Sequence, residues 1–419
     1  MKKPHRRLSR RSALKLGLGS ATLVALAACS DDDEDATLID EQASAPTSAS
    51  STDAAAATAT LSQVPATATA AATAGPEVGP DGLYTEVQFD EDDTPHLIPM
   101  DSILSGGPEK DGIPSIDAPQ FATSESWDQY EFRDDGLVIG VYVDGARRAY
   151  PFQVLVWHEL VNDTLAGEPI LISYCPLCGS GIAFERVVEG RAVEFGVSGL
   201  LHNSDLLMYD RESDSLWSQI NGTAVVGERV GTRLTFYPSE IMTWADWKRA
   251  YPDSEVLTTE TGAARDYTRD PYGDYYFDSR LFFPVDDSSD NFDALPLKAN
   301  VTGIEVEGPS YGAFVDDDVR EVGIVNETVG ETPVVVFADS QAGDNIVVLE
   351  RVHDGQMLTF ALEDEGLVDD ETGTRWSFDG LALAGPLAGA QLVELLSVKS
   401  FWFAWVAFHP ETSLWAQPS

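Results

Sequence analysis

The first sustained apolar stretch with a regular pattern is Leu137-Val138-Ile139-Gly140-Val141-Tyr142-Val143, followed by Asp144-Gly145 and then Arg147 to Tyr150. Two β-prone runs around an Asp-Gly dipeptide predict a hairpin, because those residues accept the left-handed backbone of a two-residue turn. Pro151 suits the first turn of a helix, and Val154, Leu155, His158, Val161 and Asn162 recur at spacings of three and four. That spacing predicts a helix with His158 and Asn162 on one side. Glu168 to Tyr174 reads as a buried strand that empties into Cys175-Pro176-Leu177-Cys178-Gly179. Short β-like runs follow at 182–188, 192–197, 206–209, 216–219 and 224–226, and a tryptophan-rich helix is predicted over 241–251. Helix and strand do not alternate regularly, which predicts an α+β, β-rich fold.

The pattern then occurs a second time. Val161-Asn162-Asp163-Thr164-Leu165 with Pro169 returns as Val325-Asn326-Glu327-Thr328-Val329 with Pro333. Glu185-Arg186-Val187 returns as Glu350-Arg351-Val352, and Trp217, Gly227, Trp247 and Pro252 return as Trp376, Gly385, Trp405 and Pro410. One order at nearly constant separation predicts two tandem copies of a related unit of mainly short strands with a helix near each end. Residues shared by both copies are expected to be structural, so the differences point to function. Cys175 falls opposite Asp339, Cys178 opposite Ala342 and His158 opposite Val322, leaving the second copy without thiols.

The ends of the chain add an address. Ser9-Arg10-Arg11-Ser12-Ala13-Leu14-Lys15 with the apolar segment behind it matches twin-arginine export, and Leu26-Ala27-Ala28-Cys29 matches a lipobox. Residues 1–29 are therefore expected to be a lipoprotein signal, with lipid on Cys29 holding the protein to the membrane on the extracytoplasmic side. Residues 30–79 are acidic, then rich in Ala, Thr, Ser and Pro, a composition too poor in large apolar groups to order, and are read as a disordered tether. Residues 80–292 form the first repeat with an N-terminal extension, and 293–419 the second, degenerate repeat. The 419-residue chain has a formal charge of −44, and seven of its 26 basic residues precede Cys29, leaving 19 against 70 acids, or −51. Such a surface excludes nucleic acid as a partner and fits a halophilic medium.

Three chemistries fit the cysteine turn. As a redox dithiol, Cys175 and Cys178 close and open a small disulfide, with His158 as charge partner or proton carrier in a catalytic trio; this needs no cofactor and implies a redox partner. As a metal centre, the pair recruits His158 and Met208, or else His202 or a carboxylate, for copper or zinc, because the second cysteine pair of a closed zinc knuckle is missing. As a structural pair, the thiols only pack, or bridge a loop too short to stabilise much. Phe195-Gly196-Val197-Ser198-Gly199 with Asn203, Ser204 and Asp205 is a Gly/Ser turn suited to lining a pocket, Asp210-Arg211 suggests a structural ion pair, and Arg265 to Tyr276 reads as a lid or an aromatic linker between copies.

Five separated motifs, Trp157-His158-Glu159-Leu160-Val161-Asn162-Asp163, Tyr174-Cys175-Pro176-Leu177-Cys178-Gly179, Phe195-Gly196-Val197-Ser198-Gly199, Met208-Tyr209-Asp210-Arg211 and Ser215-Leu216-Trp217-Ser218-Gln219, together resemble the domain of unknown function 3179 family from about Ile113 onward. The resemblance brings no activity with it. The family's naming allows for selenoprotein members; selenocysteine at the Cys-Pro-Leu-Cys position would imply redox work there. The leading expectation is thus a thiol-based redox protein, with copper or zinc binding or delivery, or a non-catalytic surface or solute-binding role, as alternatives.

Overall fold

The hairpin around Asp144-Gly145 forms as its sequence requires: β1 (Leu137–Val143) and β2 (Ala146–Pro151) pair antiparallel through a turn with φ of 45° and 92°. This computed structural model describes residues 76–343, 345–363 and 366–417, which belong to one compact unit. The signal, the lipobox cysteine and all but the last few residues of the tether lie outside the described residues. Among the described residues no helix is long and apolar enough to cross a membrane.

The helix expected to run to Asn162 is a single turn, α1 (Phe152–Leu155). Glu159 takes φ +59°, and β3 (Leu160–Leu165) begins immediately after it. Leu160, Val161 and Leu165 satisfy a strand as well as a helix, and the antiparallel partner β4 (Glu168–Cys175) decides between them. His158 and Asn162 therefore do not share a helix face. β5 (Ser180–Glu185) completes this meander. A second meander follows: β6 (Phe195–His202), β7 (Asp205–Asp210), β8 (Leu216–Ser218) and β9 (Ala224–Val226). β10 (Thr235–Tyr237) pairs with β5, and β11 (Ser239–Thr243) returns to β1. The tryptophan-rich helix starts later than expected, as α2 (Trp244–Ala250), because Thr243 caps it by accepting from Asp246 N at 3.2 Å. β12 (Glu255–Leu257) then lies parallel to β2. The N-terminal extension is extended chain: Pro95–His96 and Leu104–Ser105 cover opposite edges of the second meander, and Phe121–Ala122 covers β12.

The second half follows the same course. β13 (Asn300–Val306) and β14 (Ser310–Val315) make a hairpin, α3 (Asp316–Val322) follows, and β15 (Ile324–Val329), β16 (Thr332–Asp339) and β17 (Asn345–Glu350) form a meander. β18 (Phe360–Glu363), β19 (Gly366–Asp369), β20 (Arg375–Trp376) and β21 (Ala382–Ala384) make the next sheet. β22 (Ser397–Phe401) pairs antiparallel with β13, α4 (Trp402–Phe408) follows, and β23 (Ser413–Trp415) lies parallel to β14.

Individual bonds recur as well. Asn162 bridges to Phe195, accepting from its N and donating to its O, both at 2.8 Å; Asn326 does the same to Phe360 at 2.9 and 2.8 Å. The Trp217 indole donates to Asp210 at 3.0 Å and that of Trp376 to Asp369 at 2.9 Å. Asp210 is completed by Arg229 at 2.9 Å, not by the adjacent Arg211, which pairs with Asp117 and Glu194. Gly140 and Gly303 each lie flat under an indole, Trp247 and Trp405, and a Cβ at either would fall inside the ring.

The cores cross between halves. Trp402, Phe403 and Trp405 of α4 pack in one cluster with Cys175, Cys178 and Trp217, while Ala342 packs with Trp244 and Trp247 of α2. Gly140→Ala and Gly303→Ala should each lower unfolding stability by about 3 kcal/mol or more through overpacking. Gly145→Ala, with open space but φ +92°, should cost about 1 kcal/mol, and denaturant titrations at unchanged slope read the difference.

Candidate functional site

The cysteine turn is set by three backbone restraints. Cys175 ends β4 opposite Ser180, and Gly179 takes φ +62°, a conformation open to glycine at little cost. A Cβ there would also meet the Phe401 ring at 3.0 Å. The carbonyl of Cys178 accepts from Phe401 N at 2.8 Å, and that of Leu177 from the Tyr275 hydroxyl at 3.0 Å. β22 of the second half and the segment joining the halves thus hold the turn at consecutive carbonyls.

Both thiols are buried and unbonded, with Sγ atoms 3.1 Å apart. They face the tight turn of the β6–β7 hairpin, where Asn203 and Ser204 both take positive φ, the two-residue geometry that matches strand twist. The Ser204 carbonyl lies 3.5 Å from Cys178 Sγ and 3.8 Å from Cys175 Sγ. Asp205, fully buried, places Oδ1 3.4 Å from Cys178 Sγ while Oδ2 accepts from Ile220 N at 3.1 Å. The donor atoms of Cys175, Cys178 and Asp205 all lie within 4.8 Å of one another, the one such group of His, Cys, Asp or Glu among the described residues.

Burial controls the charge of this group. It pushes the Cys175 thiol up and the Cys178 thiol well up, and raises the Asp205 carboxyl to about 7. Glu159, buried on the same side, is raised to about 8 by burial, and its Oε1 accepts from Tyr272 at 3.4 Å. Four acids therefore share a poorly solvated space. None of them forms an ion pair with a lysine, arginine or histidine among the described residues.

His158 lies elsewhere. Its Nδ1 donates to the Pro114 carbonyl at 2.7 Å, which fixes the tautomer, and Nε2 accepts from the Tyr267 hydroxyl at 2.7 Å. Both nitrogens are engaged and burial lowers its pKa, so the ring is neutral. Its partner opens the segment joining the two halves, which runs across the site. Trp157 Nε1 donates to Arg269 O at 3.0 Å, Ser204 Oγ donates to Phe283 O at 2.9 Å, and Asn203 Oδ1 accepts from Asp286 N at 2.9 Å. His158 therefore anchors the covering segment rather than the thiols. His202 bonds Ser102 at 2.8 Å and is lowered to about 4 by burial, and Met208 is fully buried in the apolar cluster that includes both cysteines.

The acids were the residues hardest to anticipate. The β18–β19 hairpin pairs Phe360 with Asp369 and closes at Glu363 and Gly366, whereas β6–β7 pairs Phe195 with Asp210 and runs on to His202 and Asp205. Between those paired ends, the offset from first half to second falls from 165 (Phe195, Phe360) to 159 (Asp210, Asp369). Those six extra residues carry Asp205 to the sulfurs, and the change of offset is the signal that marks them.

A family model described as "Protein of unknown function (DUF3179)" matches residues 110–412, which include the hairpins, the cysteine turn and the covering segment. The chain belongs to this family. The resemblance read from five short motifs is thus borne out across both halves. No curated protein and no solved structure matches the chain.

Glu159 supplies a test of this electrostatic picture. Its pKa in the fold, about 8, lies above the ordinary 4.5, so its contribution to stability is full below about pH 4.5 and is lost as pH rises through 8. Relative to Glu159→Gln, the wild-type protein should lose on the order of a few kcal/mol between about pH 5 and 9 in urea titrations. Parallel curves for the two proteins would show that this carboxyl is solvated.

Proposed function

We propose that the protein is an exported, lipid-anchored thiol redox protein built from two copies of one unit, in which Cys175 and Cys178 are the redox pair and the second copy is structural. The duplication is supported by the recurrence of strand order, Asn–Phe bridges, Asp–Trp bonds and indole-covered glycines in the same sequence. The export reading rests on the twin-arginine and lipobox patterns ending at Cys29.

The observation that carries the redox reading is two unbonded thiols 3.1 Å apart on one turn. Closing them to a bond of about 2.05 Å asks for a movement of roughly 1 Å. A disulfide here spans two intervening residues and contributes little stability through chain entropy, so a purely structural bridge is a weak use of the pair. The surroundings also constrain the mechanism. With no cation beside the sulfurs among the described residues, leaving a thiolate in place is unfavourable, so electrons and protons have to depart together. A small disulfide meets that condition: its S–S bond breaks, the Cys175–Cys178 bond forms, and two electrons and two protons pass to it as two product thiols. With both thiols buried, any disulfide reaches the sulfurs only when the covering segment moves, and a small one asks for a smaller opening than a protein partner. Asp205 and Ser204 O orient the pair, and His158 acts on it only through the cover.

Thiol titration of purified protein before and after oxidised glutathione tests this. Two titratable thiols should be lost together and recovered with dithiothreitol, and Cys175→Ser or Cys178→Ser should abolish the reversible loss. A wild-type pair that stays reduced while the urea-unfolded chain oxidises under the same conditions would remove the redox reading.

A further inference from the structure

Three donors of two kinds converge from two separate backbone segments: Cys175 Sγ and Cys178 Sγ from the turn that ends β4, and Asp205 Oδ1 from the start of β7. All three residues are essentially without solvent exposure. We infer that the reduced centre is also a metal site, in which Cys175, Cys178 and Asp205 hold a thiophilic divalent cation of the zinc class; this rests on the pair being available as thiols.

The donor chemistry selects the ion. Two sulfurs favour a soft or borderline metal and exclude magnesium and calcium. A cuprous ion needs only the two sulfurs, whereas the carboxylate adds an oxygen and a negative charge that suit a dication. Zinc takes sulfur at about 2.3 Å and carboxylate oxygen at about 2.0–2.2 Å in a tetrahedral shell, so the sulfurs have to spread from 3.1 Å to roughly 3.7 Å. That is a smaller movement than closing the disulfide. The backbone already supports the ligands: Asp205 Oδ2 is fixed by Ile220 N, leaving Oδ1 toward the sulfurs. The Ser204 carbonyl lies 3.8 and 3.5 Å from the two sulfurs, a further oxygen close to the centre.

Charge gives an independent argument. The buried group, with Glu159 added, holds four acids and no ion-pair partner among the described residues, and one dication balances two of the three negative charges its ligands would carry. The first half builds this arrangement by the six-residue extension of its β6–β7 hairpin; in the second half the β18–β19 hairpin is shorter, and the separate β16–β17 turn carries Asp339 and Ala342 in place of the cysteines.

The test is cobalt titration of the reduced full chain. One Co(II) per chain should bind, with a near-ultraviolet thiolate-to-cobalt charge-transfer band and the visible bands of a tetrahedral ion, and Zn(II) should displace it. Asp205→Asn keeps an acceptor for Ile220 N and should weaken Co(II) binding at least tenfold with an unchanged thiol count and circular-dichroism spectrum. His158→Gln should bind as wild type. In the unmutated protein, oxidised glutathione should release the cobalt as the thiols disappear, which reads the site without any substitution. Failure to bind stoichiometrically, binding unchanged in a folded Asp205→Asn protein, or retention after both thiols are oxidised would each overturn the metal site. A pair that cycles with glutathione but never binds cobalt leaves the redox reading standing, and a pair that binds cobalt but never closes removes the redox reading alone.

Discussion

The structure depends on an exchange of core between its halves. Cys178 and Gly179 rest on Phe401 and on the aromatic residues of α4, and the matching turn at Ala342 and Gly343 rests on Trp244, Trp247 and Asp246 of α2. Two of the buried clusters draw on both halves, while the others lie within one half. The bond from Phe401 N to the Cys178 carbonyl is the point at which this exchange reaches the chemistry, because it fixes the peptide between the two thiols and the next strand. A long meander with an otherwise flexible turn becomes rigid where another sheet edge meets it.

Desolvation then gives the centre its character. Thiols with depressed pKa values sit beside cations or at helix N-termini, and among the described residues this pair has neither. What it has is oxygen: a carbonyl, a carboxyl with one oxygen tied to backbone, and a second buried carboxyl under a tyrosine hydroxyl. Such surroundings resist net charge, so the pair is a poor nucleophile when alone. The covering segment keeps it so. Its hydrogen bonds to Trp157, His158, Asn203 and Ser204 tie it across the site.

Much of this was legible in the sequence, and the failures are instructive. The β1–β2 hairpin was readable because Asp144-Gly145 carries its own turn geometry, and the buried strand into the cysteines because its run was short and bounded. The 154–162 segment was misread because Leu160, Val161 and Leu165 fit either period, and only pairing with β4 chose the strand. His158, offered there as a partner of the thiols, bonds Pro114 and Tyr267 instead. Asp205 was seen as part of a polar turn but not as a partner of the thiols, because long-range convergence has no local pattern. Comparing the halves for differences in residue type found the cysteines; comparing them for a difference in length would have found the carboxylate.

The Phe401 contact has a temporal consequence. Phe401 follows Cys178 by 223 positions, so while the chain is being synthesised the cysteine turn exists long before the strand that rigidifies it and the helix that floors it. During that interval the two sulfurs are ordinary accessible thiols, open to whatever oxidant or ion the surrounding compartment offers. Only once the last sheet is in place are the sulfurs shut away from water. The centre is thus laid down early in the chain and closed by nearly the last part of it to be made.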